Sequence, residues 1–166
     1  MAEENQPAQG QAEGRAQEQQ FSIQKLYLKD VSFESPNVPT VFADGEWQPE
    51  VNIQLNSSNK SIGQDTFEVD LKITVTAKQN KKTAFLVELT QSGIFTVAGF
   101  EQDNLRGMLG AYCPETLFPF AREAIAELVI KGGFPPLLLA PVNFNALYMQ
   151  QAQQQQAAAT AQDTAH

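Results

Sequence analysis

The stretch Phe67-Glu-Val-Asp-Leu-Lys-Ile-Thr-Val-Thr-Ala77 decides the fold of this chain. Its odd positions are apolar and its even positions are polar. This period of two is typical of a β-strand with one face toward the core and one face exposed to solvent. The polar residues 78–82 come next, and the run 83–97, rich in apolar and β-branched residues, is typical of a returning strand. The sequence therefore predicts a β-hairpin at the centre of the protein.

Two segments on the N-terminal side of this hairpin are also predicted to be strands. Residues 50–56 alternate, with Val51, Ile53 and Leu55 on one face. Residues 22–34 form a longer candidate. Because short connections join the four strands, we expect an antiparallel meander.

The period changes to that of a helix after the sheet. Asp103-Asn104 are expected to cap a helix from Leu105, and Pro114 suits the first turn of a renewed helix that ends at Gly132-Gly133. Asn143 is expected to cap a short final helix. The predicted fold class is α+β, a four-stranded antiparallel sheet with a long helix and a shorter C-terminal helix on one side.

Both ends of the 166-residue chain are predicted to be disordered tails. Residues 1–20 and the Gln/Ala-rich residues 151–166 contain too little apolar surface to offset the entropy of ordering. The folded unit is therefore expected at 21–150, which is the size of one domain.

The composition argues against catalysis. The one histidine is His166 and the one cysteine is Cys113, so neither a zinc site nor a Cys-His or Ser-His-Asp set is available. Cys113 is expected to be buried and inert. Asp30 and Glu34 make a poor acid-base pair, because strand geometry puts them about 13 Å apart. We expect no enzyme activity, no cofactor and no metal.

The charge and the hydropathy pattern limit location and partners. A net charge of −8 disfavours nucleic acid and favours a basic protein partner. Prolines interrupt the longest apolar run, 134–142, which is too short to cross a membrane. Residues 1–20 do not have the pattern of a signal peptide, and a single cysteine fits a reducing compartment, so a cytoplasmic protein is expected.

Strand parity predicts an acidic contact patch. Asp30, Ser32 and Glu34 share one face of their strand, and Leu86 shares a face with Glu88 on another. An apolar anchor with an acidic rim suits a protein interface. An ordinary solvated sheet face fits the same spacing and is the more common case.

Two apolar features each leave two interpretations open. The irregular segment 31–47 carries Phe42 and Trp47, which either line a groove beside the final helix or pin the loop to the core. The apolar sector of the long helix is wide, so part of it is expected to pack against another subunit, although a well-covered core helix fits too. The predicted interface residues are Leu117, Ala121, Ala124, Ile125 and Leu128.

Several strings resemble the bacterial protein-export chaperone family SecB. They are Leu109-Gly-Ala-Tyr-Cys-Pro114, Leu117-Phe-Pro-Phe-Ala-Arg-Glu123, Leu139-Ala-Pro-Val-Asn-Phe144, Lys29-Asp-Val-Ser-Phe-Glu34, Trp47-Gln-Pro-Glu-Val51 and Gly93-Ile-Phe95. The likeness spans about residues 21–150. It implies a cytoplasmic homotetramer, a dimer of dimers, that uses no ATP. Such a protein holds secretory precursors unfolded and delivers them to the SecA ATPase.

The resemblance also implies site residues. The positions that match the SecA-binding face are Asp30, Glu34, Leu86 and Glu88. Those that match the client groove are Phe42, Trp47, Val51, Ile53, Leu55, Phe144, Leu147 and Tyr148. The basic pair Lys81-Lys82 departs from the family pattern near the SecA-facing surface. An acidic oligomeric adaptor that binds a basic partner without holding unfolded proteins is the alternative function.

Overall fold

Four long strands form one antiparallel sheet in the computed structural model, which describes residues 18–163, with side chains through residue 159. The strands are β1 (Gln20–Glu34), β2 (Glu50–Gly63), β3 (Thr66–Gln79) and β4 (Lys82–Ala98). The predicted central hairpin is confirmed. Asn80 and Lys81 close it with φ values of 49° and 67°, the left-handed conformation that a two-residue type I′ turn requires.

The order of the strands is β1-β4-β3-β2. The predicted meander is therefore right only for β2, β3 and β4. β1 lies beside β4, and residues 35–49, the crossover loop, carry the chain across the sheet to β2 at the opposite edge. Alternation assigns residues to faces but says nothing about which strands are neighbours, so it could not predict this order.

A long helix follows the sheet in three contiguous pieces. They are α1 (Gln102–Gly107), a π-helical turn (Met108–Tyr112) and α2 (Cys113–Lys131). The predicted start at Leu105 is wrong, because the Leu105 N–H already donates to the Glu101 carbonyl, 2.8 Å away. Pro114 lies in the first turn of α2, and Gly133 follows the helix with a φ of +86°, both as predicted.

The final helix, α3 (Phe144–Asp163), is 20 residues long. The predicted cap is confirmed, since Asn143 Oδ1 accepts from the Ala146 N–H at 2.9 Å. This helix is shorter than the long helix, as predicted, but it is longer than expected, because residues 151–163 are helical where an unstructured tail was expected. Alanine and glutamine are both good helix formers, so their richness is compatible with a continued helix. Residues 1–17 of the predicted N-terminal tail and residues 164–166 of the predicted C-terminal tail, which include His166, lie outside the described residues.

The core lies between α2 and the inner face of the sheet. Apolar side chains from β3 and β4 meet the helix row Leu117, Ala121 and Ile125, each with 0% exposure. This arrangement confirms the α+β prediction. Among the described helices, none is both long and apolar enough to span a bilayer.

Candidate functional site

The four residues of the predicted acidic patch (Asp30, Glu34, Leu86 and Glu88) share the outer face of the sheet. Glu34 lies directly opposite Leu86 in the pairing of β1 with β4, and Ser32 lies opposite Glu88. Directly paired residues point to the same side of a sheet, so the parity argument is confirmed in geometry. Within residues 18–163, the three carboxylates accept no hydrogen bond and join no ion pair.

Lysines border the acidic patch. Asp30 pairs with Thr90, which in turn pairs with Lys72 of β3. Lys82, at the start of β4, lies 3.5 Å from Asp44 of the crossover loop, so half of the basic pair at the hairpin is partnered. The negative charge is therefore concentrated on β1 and β4, and its field falls off toward β3.

The opposite end of the same outer face carries a polar network that spans all four strands. Glu68 of β3 accepts hydrogen bonds from Tyr27, from Lys29 at 3.0 Å and from Lys60 at 2.7 Å. Asp70 accepts from Lys29 at 2.9 Å and from Ser92 at 2.6 Å. The six members are Tyr27, Lys29, Lys60, Glu68, Asp70 and Ser92.

The polar network shifts the pKa values of Glu68, Tyr27 and Lys29. Hydrogen bonds from Lys60, Tyr27 and Lys29, in that order of effect, lower the pKa of Glu68 to about 2. Desolvation and the hydrogen bond to Glu68 raise the pKa of Tyr27 to about 12. The hydrogen bonds to Asp70 and Glu68 raise the pKa of Lys29. Across the physiological range Glu68 therefore stays ionised, Lys29 stays protonated and Tyr27 stays neutral.

An apolar strip runs along the inner face of the edge strand β2. Val51, Ile53 and Leu55 lie opposite the buried Ala77, Val75 and Ile73 of β3. No helix covers this edge completely, since Ile53 is 42% exposed and its two neighbours are half-buried. The strip is thus attached to the core yet open to solvent.

An aromatic cluster lies at the crossover-loop end of the strip. Trp47 packs against Phe134 with ring centroids 5.3 Å apart and stacks on the buried Phe85 at 6.4 Å. Phe42 contacts Phe134 at 5.1 Å and is 52% exposed. The aromatics therefore pin the loop to the core, and Phe42 also presents open surface, while their place in a client groove stays a prediction.

The start of α3 closes the other end of the strip. Leu147, Tyr148 and Leu55 meet in a small cleft beside Gly110 of the π-helical turn. A larger groove of about 540 Å³ continues from Tyr148 toward Arg106 and Asn59. The structure thus gathers the predicted residues into one line from Phe42 to Tyr148.

Phe144 is the most buried of the predicted client residues. It is 5% exposed and packs edge-on against Phe118 at 5.5 Å, so it supports α3 from beneath. It also lines the small cleft with Leu147 and Tyr148, and its role in client binding stays a prediction.

The π-helical turn contains the glycine against which α3 packs. A side chain at Gly110 would bring its Cβ within 2.5 Å of the Tyr148 ring, so only glycine admits this approach. The turn adds one residue to the helical repeat, and such turns often occur at functional sites.

Sequence reasoning missed Phe134. It is 5% exposed and contacts Phe42, Trp47 and Phe85, which makes it the floor of the aromatic cluster. The sequence places it only at the start of the proline-interrupted apolar run 134–142. Its position directly after Gly132-Gly133, where the helix must stop, was the available signal, because a phenylalanine there folds back toward the preceding turn.

The predicted subunit interface needs correction. Leu117, Ala121 and Ile125 are wholly buried within this chain, so they cannot contact another subunit. Ala124 and Leu128 are half-buried and form a row with Phe120, which is 47% exposed. The helix row that faces outward is therefore displaced from the predicted one.

Two expectations from the sequence concern reactive or metal-binding side chains. Cys113 is 0% exposed, and burial raises the pKa of its thiol to about 12, which confirms that it is an unreactive core residue. No group of three His, Cys, Asp or Glu side chains suited to a metal occurs within the part of the chain that the structure describes.

Comparisons with known proteins agree on one family. Residues 14–155 match the family model for preprotein translocase subunit SecB. The chain is 55% identical to the protein-export protein SecB of Nitrosococcus oceani, over 98% of both chains. It is 54% identical to that of Methylococcus capsulatus, over 95% of this chain and 96% of the other. The fold is similar to a Mycobacterium tuberculosis SecB-like chaperone solved with an antitoxin peptide. That match has a TM-score of 0.61 at 16% identity and covers 74% of this chain and 90% of the other.

Proposed function

The chain belongs to the SecB family of protein-export chaperones, and we propose that its apolar strip holds clients while its acidic patch docks SecA. Members of this family are chaperones for preprotein translocation and not enzymes. The protein is thus an ATP-independent chaperone for secretory precursors. The alternative, an acidic adaptor without holding activity, is not favoured. We expect it to act in the cytoplasm, before precursors are exported.

The observation that carries the proposal is the placement of two surfaces on opposite faces of one sheet. The apolar strip lies on the inner face, along β2, and the acidic patch lies on the outer face, along β1 and β4. A client in the strip would therefore leave the patch free for a second protein.

The apolar strip suits extended, unfolded chains. Its surface is a line of apolar side chains, each of them exposed or half-buried. They are Phe42, Trp47, Val51, Ile53 and Leu55. Burial of each client side chain gains about 1.5–3 kcal/mol before ordering costs. Such a gain depends on apolar area and not on sequence, as a chaperone for many precursors needs.

The acidic patch suits SecA because its charges are unpaired and ring an apolar anchor. Leu86 is half-buried between Glu34 and Glu88, so a partner could desolvate it while basic groups meet the carboxylates. Complementary charges of this kind set the association rate and the specificity more than the affinity.

We further propose that the protein works as a homotetramer, a dimer of dimers. Several strips on one particle would bind one long precursor together and turn weak contacts into tight binding. Apolar residues on the edge strand β1 support an interface: Ile23 is 45% exposed, Leu28 49% and Val31 39%. The row Phe120, Ala124 and Leu128 supports a second one.

Leu128→Asp tests the helix row. We expect this variant to sediment below the tetramer mass, because a buried carboxylate at a subunit contact finds no partner. Glu123→Ala, an exposed change on the same helix, is the control and should sediment as the wild type. A Leu128→Asp protein that keeps the tetramer mass would contradict this interface.

Aggregation of a chemically unfolded secretory precursor tests the function itself. The purified protein should suppress light scattering at stoichiometric amounts without nucleotide, and added SecA should bind the complex. An adaptor of the alternative kind would leave the scattering unchanged.

A further inference from the structure

One buried polar side chain, that of Gln79, holds the crossover loop on both sides of Trp47. Gln79, the last residue of β3, is 4% exposed, although glutamine is usually a surface residue. Its Nε2 donates to the Glu46 carbonyl at 2.7 Å, and its Oε1 accepts from the Gln48 N–H at 3.2 Å. The two bonded groups flank Trp47, so one amide fixes the backbone on both sides of the tryptophan.

The base of this clamp is rigid. Gln79 pairs with Lys82 across the type I′ turn, which joins β3 and β4 by two residues only. The same turn holds the loop a second time, because Asn80 Nδ2 donates to the Asp44 carbonyl at 2.9 Å. A short turn of this type leaves the hairpin little freedom to move.

The first half of the crossover loop is tied to the same hairpin. Ser35 Oγ donates to the Ala84 carbonyl at 2.7 Å, and Asn37 Nδ2 donates to the Thr83 carbonyl at 2.9 Å. The segment between these anchors and the Gln79 clamp carries Phe42, the most exposed aromatic of the cluster. The hairpin therefore sets where the loop's aromatics lie.

We infer that Gln79 is a positioning residue for client binding, acting through Trp47 without contact with the client. This inference rests on the proposed function. A loop that is fixed before binding loses less conformational entropy when a client docks, so affinity depends on the clamp. Without Gln79, the backbone on both sides of Trp47 would lose its hydrogen bonds to the clamp, and Trp47 would spend only part of the time in the geometry that binds a client.

The test replaces the clamp by an apolar side chain of similar length in the full-length protein. Trp47 is the one tryptophan of the chain, so its fluorescence reports directly on the loop. In Gln79→Met we expect Trp47 emission to shift to longer wavelength and acrylamide quenching to increase. The Kd for a fluorescein-labelled, Trp-free unfolded peptide rich in Leu and Phe should rise about three- to ten-fold, as expected from the loss of two hydrogen bonds.

Lys82→Gln is the matched control. It removes an exposed ion pair between the same hairpin and the same loop, which is a weak interaction, and should change neither signal. An unchanged Trp47 spectrum and unchanged peptide affinity in Gln79→Met would overturn the inference. Failure of the wild type to bind the peptide would instead refute the proposed function.

A measurement on the wild type tests the clamp even if Gln79→Met fails to fold. The Gln48 amide should exchange its hydrogen much more slowly than the unbonded amide of the neighbouring Glu46. Equal exchange rates at the two positions would show that the clamp does not form in solution, and the inference would fail.

Discussion

The two ends of the outer sheet face use the same residue types for opposite purposes. In the polar network each carboxylate accepts at least two hydrogen bonds from side chains of other strands. In the acidic patch the carboxylates of Asp30, Glu34 and Glu88 have no such partner among the described residues. Paired charges contribute to the fold, whereas unpaired charges remain free to bind a partner.

The largest expected effect is on the affinity for SecA, to which we expect the acidic patch to contribute. In the double variant Glu34→Lys/Glu88→Lys we expect SecA affinity to fall at least about ten-fold, because basic groups of the partner would meet positive charge. Isothermal titration calorimetry measures this. Client capture should be unchanged, since the apolar strip lies on the opposite face. Unchanged SecA affinity would remove the acidic patch as the docking site.

The next largest effect is on the free energy of unfolding, to which we expect the polar network to contribute more than the acidic patch. Glu68→Gln should lower the free energy of unfolding by about 1–2 kcal/mol, because Tyr27, Lys29 and Lys60 lose a charged acceptor, with some screening by solvent. Glu88→Gln is the matched control and should stay within about 0.5 kcal/mol of the wild type. Urea unfolding curves give both values, and equal effects would erase the distinction between the ends.

The smallest expected effect is a dependence on pH. The pKa of Glu68 in the folded protein is about 2, below the ordinary value of 4.5. Its stabilisation is therefore complete above pH 4.5 and is lost as the pH falls through 2. We expect the wild type to lose roughly 1 kcal/mol from this group over that interval, after a discount for solvent screening. Acid titration of Glu68→Gln should lack this component, and an identical pH profile would contradict it.

The sequence predicted the strands well wherever one face is dry. Phe67–Ala77 alternates because its odd residues face the core, whereas the second half of β2, residues 57–63, is exposed on both sides and shows no alternation. That half was therefore missed. The length of α3 was missed for a different reason, since a Gln/Ala-rich sequence is equally compatible with a helix and with an unstructured tail.

The residues of the candidate site, like the elements of the fold, were predicted where a periodic pattern fixes them and missed where no such pattern exists. Parity alone placed Asp30 with Glu34 on one face of β1 and Leu86 with Glu88 on one face of β4, because the period of a strand fixes its faces. The pairing of β1 with β4, which brings the two pairs together, has no periodic signature. Periodicity could not tell a core row from an interface row on α2, because both need apolar residues, so Leu117 was placed on the wrong one. Neither Phe134 nor the Gln79 clamp has a periodic signature, since each depends on a loop that returns from far away in sequence.

The π-helical turn at Met108–Tyr112 lets the long helix carry one residue more than an unbroken α-helix would between the same two flanking pieces. Deletion of one residue there would leave α1 and α2 facing the same directions as before, so Arg106 would keep its place in the wall of its groove. A deletion within α2 would instead rotate one part of the helix against the other by about 100°. The turn is thus a point at which the long helix can change its length without changing which side chains face the sheet.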